Sequence, residues 1–224
     1  MKTKAIDMDL AKTIDHTLLK PDADDEAIDR LCREAVEYGF RSCCVNSANV
    51  ARVHDRLQGS GILTCSVVGF PLGAMSTPAK VFETRQALQD GADEIDMVIN
   101  IGKVKSGELA YVEEEIRALK EACGDKTLKV IIETCLLTDS EKVEVCRATL
   151  RAGADFVKTT TGFSTGGART EDVRLMKETV GDRAKVKASG GIHTREEALA
   201  MIEAGADRIG ASAGIAIVTK EDCR

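Results

Sequence analysis

A recurring glycine constrains this chain more than any other feature. The stretches "VEYGFRSCCVN" (36–46), "LQDGADEIDMVIN" (88–100), "LRAGADFVKTT" (150–160) and "IEAGADRIGAS" (202–212) each join an amphipathic run to a short apolar segment through one Gly. A glycine there suits the left-handed residue that ends a helix, so each unit reads helix, tight turn, strand. Gly39, Gly91, Gly153 and Gly205 are spaced by 52, 62 and 52 residues, about twice the length of one strand-helix unit. A further strand should therefore lie inside each interval. Candidates stand there: "ILTCSVVGF" (62–70), "LKVIIET" (128–134) and "AKVKASGG" (184–191). With a short strand at "TIDHT" (13–17) the count reaches eight. Helical patterns such as "DDEAIDRLCREAVEYG", "PAKVFETRQALQDG", "LAYVEEEIRALKEA" and "DSEKVEVCRATLRAG" fall between them. Strict alternation of strand and helix implies a parallel sheet, and eight units imply an α/β fold of the closed (β/α)8 TIM-barrel type. A short N-terminal helical extension should precede it, with residues 1–224 forming a single domain. An open doubly wound sheet is the alternative, but no G-x-G-x-x-G follows the first strand, which argues against a dinucleotide binder.

Composition narrows the partners. The 224 residues carry a net charge of -6 and no cluster of Lys and Arg, so neither a nucleic-acid surface nor a polybasic membrane patch is expected. The eight cysteines form no C-x-x-C pair and read as buried, reduced thiols of a cytoplasmic protein rather than a disulfide or metal framework. The opening "MKTKAIDMDLAKTIDHT" has no apolar signal-like core, and no run of about 18 apolar residues occurs. A soluble, cytoplasmic protein is the expectation.

A barrel of this kind builds its chemistry where the strands end at their C-terminal side. Reading those ends gives Asp15 and Thr17, Cys44 and Asn46, "GFPLG" (69–73), Asp96 and Asn100, Glu133 and Thr134, Lys158 and Thr160, Lys187 and Ser189, and Ser212. Asp96 sits among Ile95, Met97 and Val98, where a carboxylate is desolvated unless a positive group faces it. Lys158 and Lys187 can supply that charge. They lie on neighbouring strands about 4.8 Å apart, and two inward lysines at similar height penalise each other's protonated form. At least one of the pair should then hold a depressed pKa, the condition for an amine to act as a nucleophile near neutral pH. The alternative is that each lysine makes a structural ion pair with Asp96, Glu133 or Asp155. Lys185, two residues before Lys187, shares its side of the sheet and is expected as a charge at the barrel's bottom rim.

Two small-residue turns follow the last strands. Ser189-Gly190-Gly191 precedes Thr194, which with Glu197 has capping-box spacing, and Gly210 and Ser212 precede another short helix. Paired turns of this kind converge backbone N–H groups on a phosphate, and Gly162 could lend a further N–H. His16, His54 and His193 have no ligand-spaced partner, so no metal site is expected. Ser164 and Thr165, in "GFSTGG", lie in a loop positioned to cover the site.

The segments "IDHTLLKPDA", "CCVN", "GFPLG", "EIDMVINIGKVKSG", "LKVIIETCLL", "FVKTTTGFSTGGA", "VKASGGI" and "RIGAS", in this order from about residue 10 to 216, resemble the deoxyribose-phosphate aldolase family of class I aldolases. The resemblance implies that Lys158 forms a Schiff base, that Lys187 exchanges protons and helps keep Lys158 neutral, and that Asp96 is the other proton-transfer group, acting through a water. It implies that Asp15, Thr17 and Cys44 lie near the substrate, and that Gly162, Gly190, Gly191, Gly210 and Ser212 bind its phosphate. It implies reversible cleavage of 2-deoxy-D-ribose 5-phosphate to D-glyceraldehyde 3-phosphate and acetaldehyde, in deoxyribonucleotide catabolism, with no cofactor or metal, in a homodimer. Two departures stand out: Ala213 follows Ser212 where some members have a second serine, and the chain ends at Glu221-Asp222-Cys223-Arg224 where some have a longer tail closing on tyrosine. Another Schiff-base barrel aldolase, a cofactor-free phosphosugar isomerase and a non-catalytic phosphometabolite-binding barrel are the competing readings.

Overall fold

The computed structural model describes residues 5–220. Its strands are β1 (Ala5–Ile6), β2 (Ile14–Leu18), β3 (Ser42–Val45), β4 (Leu63–Val68), β5 (Glu94–Val98), β6 (Thr127–Ile131), β7 (Phe156–Lys158), β8 (Lys185–Ser189), β9 (Arg208–Ala211) and β10 (Thr219–Lys220). Strands β2 to β9 form a closed barrel in chain order, all parallel, and the pairing of β2 with both β3 and β9 completes the ring. This is the expected (β/α)8 barrel, with all eight anticipated strands present.

The N-terminal extension is a one-turn helix, Met8–Ala11, capped by Asp7. An unexpected antiparallel pair, β1 with β10, lies outside the barrel. Asp7 joins the two: its N–H donates to the Val218 carbonyl at 2.9 Å, and its carboxylate accepts from Arg195 at 2.7 Å. The tail Glu221-Asp222-Cys223-Arg224 lies outside the described residues.

The repeat glycines behave as their pattern required. Gly39, Gly91, Gly153 and Gly205 have φ of 68, 103, 78 and 112°, values open to glycine at little cost. Space adds a second reason at Gly91, where a Cβ would fall 2.3 Å from His54 Cγ. The expected capping box at Thr194 and Glu197 is present, and Thr138 with Glu141 forms a second.

Alternation along the strands splits the side chains into two environments. Ile14, Ile95, Met97, Val130, Val157, Val186 and Ile209 belong to the large apolar cluster that includes Ile28, Val112, Ile116, Val173 and Met176 of the helices. The core therefore sits between sheet and helices. The barrel's inside is different. Where such interiors are ordinarily filled with Val, Ile and Leu, this one holds Asp15, Glu94, Asp96, Lys129, Lys158, Lys187 and Arg208, all buried. A small apolar cluster of Leu19, Cys44, Cys65 and Val67 is separate from the main core. Among the described residues no helix is long and apolar enough to cross a membrane.

Candidate active site

Register places the two lysines as the sequence suggested. Lys158 and Lys187 are direct partners across β7 and β8, and Asp96 pairs with Lys129 across β5 and β6. The side chains meet at Asp96. Lys158 Nζ donates to Asp96 Oδ2 at 2.7 Å and Lys187 Nζ to the same oxygen at 2.8 Å, while Lys129 Nζ donates to Oδ1 at 2.7 Å. Lys187 Nζ also stands 2.5 Å from Asp15 Oδ2, a contact of charges without hydrogen-bond alignment. Below this level, Arg208 Nη1 bridges Asp15 Oδ1 (2.7 Å) and Glu94 Oε2 (3.1 Å), and Lys129 Nζ reaches Glu94 Oε2 at 2.7 Å. Three carboxylates thus face four cationic groups. The lysines do form ion pairs, but with Asp15, Glu94 and Asp96. Glu133 and Asp155 serve elsewhere: Asp155 accepts from Lys120 at 2.8 Å, away from the cluster.

Burial sets the electrostatics. Desolvation favours a neutral Asp96, yet the charges of Lys129, Lys158 and Lys187 outweigh it and hold the carboxyl well below the usual carboxylate range. Asp15 is lowered likewise, burial being overcome by Lys187, Lys129 and Arg208. Burial alone would lower Lys187, but Asp15 and Asp96 raise it above an ordinary lysine. Lys187 is therefore held as a cation. Lys129 is raised in the same way, burial being overcome first by Asp96.

A cavity of about 240 Å³ opens at the C-terminal ends of the strands. Drug-sized ligands use clefts of about 300–1,000 Å³, so this one fits a small metabolite. Lys158 is at its floor, and Thr17, Gly162, Gly190, Gly191, Gly210 and Ser212 line it. Asp96 and Lys187 are fully buried and are not part of the lining; they reach the cavity through Lys158. Asp15 and Cys44, expected near a substrate, also lie beneath the floor: Asp15 accepts from Ser42 Oγ at 2.7 Å, and Cys44 packs with Cys65 and Val67. A larger groove of about 750 Å³ opens at the opposite end, lined by Thr127, Arg147 and Phe156 among others, but it contains none of the Asp96 cluster. Lys185 is exposed at that end, its ammonium 5.7 Å from the Phe156 ring centroid, as expected of a rim charge.

The threonines after Lys158 tie two strand ends together. The hydroxyls of Thr159 and Thr160 donate to the Ser189 carbonyl at 3.0 and 2.8 Å, and Ser189 Oγ donates to the Thr160 carbonyl at 2.6 Å. Glu133, in a left-handed backbone conformation with φ of 54°, accepts from the hydroxyl of Thr161 at 2.5 Å and from its N–H at 3.2 Å. This fixes the turn that carries Gly162. Gly162, Gly190 and Gly191 have φ of 80, 91 and 73°, and among the described residues their N–H groups have no hydrogen-bond acceptor. Phe163, edge-on to Phe70 at 5.3 Å, borders the cavity; Ser164 and Thr165 do not.

Cys44, Cys65 and Asp96 place one potential metal-ligating atom each within 4.8 Å of one another. Both oxygens of Asp96 are already engaged by ammonium groups, so a metal cation there would meet three positive neighbours. His16 lies on the outer side of β2, against Phe40 and 2.7 Å from Glu34.

Lys129, Glu94 and Arg208 were not singled out by the sequence. Lys129 carries the signal that marks Lys158, a lysine between apolar strand formers in "LKVII", and like Asp96 and Lys187 it is the third residue of a five-residue strand.

The fold and the cavity define a class: α/β-barrel enzymes whose chemistry is presented by side chains at the strands' C-terminal ends. Comparison with known proteins is more specific. The pattern of the DeoC/LacD family aldolases matches residues 10–220. The chain is 64% identical over 211 residues to the deoxyribose-phosphate aldolase of Finegoldia magna, covering 94% of this chain and 99% of that protein. It is 60% identical over 214 residues to that of Streptococcus pneumoniae, covering 96% and 97%. The structure of the deoxyribose phosphate aldolase of Aeropyrum pernix, described as tetrameric, superposes with a TM-score of 0.87 at 34% identity, over 94% of this chain and 89% of that one. The chain belongs to the DeoC/LacD family of aldolases.

Proposed function

We propose that this chain is a class I aldolase that reversibly cleaves 2-deoxy-D-ribose 5-phosphate to D-glyceraldehyde 3-phosphate and acetaldehyde through an imine on Lys158. The observation that carries the reading is that Lys158 alone brings the Asp96 cluster to the cavity. Identity of 60 to 64% to deoxyribose-phosphate aldolases along nearly the whole chain supports this substrate over another sugar phosphate.

The charge balance fits an amine nucleophile. Asp15, Glu94 and Asp96 balance three of the four cations, so the fourth proton is in excess. Its loss from Lys158 leaves the buried set neutral, with Lys187 still charged beside it. The free amine adds to the aldehyde carbon, and the carbinolamine expels its hydroxyl as water to give an iminium. A base removes the proton of the C3 hydroxyl as the C2–C3 bond breaks. Its electron pair flows to the iminium nitrogen, and glyceraldehyde 3-phosphate departs. Protonation of the remaining enamine at carbon, followed by hydrolysis, releases acetaldehyde and the amine. Asp96 Oδ2, 2.7 Å from Lys158 Nζ, is placed to take the nitrogen's proton and, through a water, to serve the carbon and hydroxyl steps. Lys187, which shares Asp96 Oδ2 with Lys158, is the other group placed to exchange protons, and its charge favours a neutral Lys158. General acid-base catalysis of this kind contributes about 10² to 10⁴-fold.

The N–H groups of Gly162, Gly190 and Gly191, with Gly210, Ser212 and Thr17 nearby, form the proposed phosphate end. The reading needs no metal or cofactor, since the iminium supplies the electron sink. It includes a cytoplasmic location, supported by seven unpaired cysteines among the described residues. Following release of glyceraldehyde 3-phosphate from deoxyribose 5-phosphate by a coupled assay tests the substrate. Turnover that persists under metal chelation is expected; no turnover of this sugar, or turnover restored only by added metal, would overturn the reading.

A further inference from the structure

We infer that Lys20 supplies the net positive charge that the phosphate end requires, and so determines preference for a phosphorylated substrate; the inference rests on the aldolase reading of the same cavity. Gly162, Gly190 and Gly191 offer N–H dipoles but no net charge, whereas a phosphate monoester near neutral pH carries close to two negative charges. The cavity's lining contains no Asp or Glu, in a chain of net charge -6. Its groups able to carry positive charge are Lys158, Lys20 and His193. Lys158 is committed to the imine and is neutral when it attacks. At His193 a carboxylate is already close by, since Glu197 accepts from the His193 backbone N–H at 2.7 Å.

Lys20 has neither restriction. It is exposed, and among the described residues no carboxylate lies within ion-pair distance of its ammonium. Its place in the barrel completes an arc. The turns after β7, β8 and β9 carry Gly162, Gly190 with Gly191, and Ser212, and β9 pairs with β2, the strand that leads into Leu19-Lys20. A flexible four-carbon side chain there can approach a phosphate in the cavity from the β2 side. A hydrogen bond between charged groups is stronger than its neutral counterpart, while exposure screens it.

The test is calorimetric titration with inorganic phosphate, which needs no turnover, on the parent chain and on Lys20→Gln, Lys20→Arg and His193→Gln. Lys20→Gln should weaken phosphate binding roughly tenfold, with Lys20→Arg close to the parent. In the cleavage assay the same variant should raise KM for deoxyribose 5-phosphate by a similar factor while kcat stays near the parent value. Added salt should weaken phosphate binding in the parent more than in Lys20→Gln. Unaltered phosphate affinity in Lys20→Gln would overturn the inference, as would a loss that follows His193→Gln instead. A chain that binds phosphate through Lys20 but cleaves no deoxyribose 5-phosphate would sink the aldolase reading and leave the charge assignment standing.

Discussion

Asp96 accepts three ammonium groups, and each should respond differently to removal. Lys129→Met removes the ammonium that bridges Asp96 Oδ1 and Glu94 at the buried centre of the cluster, breaking two buried pairs at once, and should cost about 3–5 kcal/mol in urea unfolding. Lys158→Met removes the cluster's excess charge, so its stability loss should be clearly smaller although activity vanishes; equal losses would contradict the charge count. The lowered Asp15 and Asp96 also set an acid limb. Because their folded values lie below the unfolded one, their stabilisation is complete above about pH 4–5 and lost as pH falls through the folded values. The urea midpoint should be level from neutral pH to about 5 and drop below it, and Asp96→Asn should flatten that drop; an unchanged limb would contradict the assignment. At this scale the sequence was readable where a charged side chain stood among apolar strand formers. Lys158, Lys187 and Asp96 were legible because apolar neighbours made them anomalous. Lys129 and Arg208 were not, because which inward residues meet depends on the register between strands far apart in the chain. Asp15 and Cys44 were placed near the substrate, yet the structure seats them under the floor, a difference of depth that residue types do not encode.

Elements joined by glycines were the most legible part of the fold, since a positive φ after a helix leaves few residues to choose from. Two glycines separate backbone strain from crowding. Gly153 has φ of 78° with nothing within 4 Å of the place a Cβ would take, whereas a Cβ on Gly190, at φ 91°, would fall 2.3 Å from Thr160 Oγ1. Gly153→Ala should therefore cost about 1–2 kcal/mol from conformation alone. Gly190→Ala should cost more and also raise KM for the phosphorylated sugar, because the Thr160–Ser189 tie and the turn beside Gly162 must shift. Equal stability losses with unchanged KM would contradict the role given to this turn. The pairing of β1 with β10 was invisible in sequence: two residues are too few to show an alternation, and the partners lie at opposite ends of the described chain.

The molecule as a whole keeps its apolar core outside the barrel and its charges inside, so its chemistry is shielded by the same packing that stabilises it. Its thiols follow that plan. Burial pushes Cys123 and Cys146 up to about 12, and neither should be alkylated in the native state near neutral pH, whereas partly exposed Cys135 should react first among the described cysteines. Mass spectrometry of iodoacetamide-treated protein checks the order, and early labelling of Cys146 would contradict the packing. The homodimer implied by the family resemblance is checked by light scattering, and a monomer, or a tetramer like that described for the Aeropyrum pernix protein, would contradict it. The central claim is covalent and can be read directly. Incubation with acetaldehyde, borohydride reduction and peptide mapping should place an ethyl group, a gain of about 28 Da, on Lys158, and Lys158→Ala should abolish it. An adduct that survives Lys158→Ala but disappears in Lys187→Ala, or no adduct at either lysine, would contradict the account.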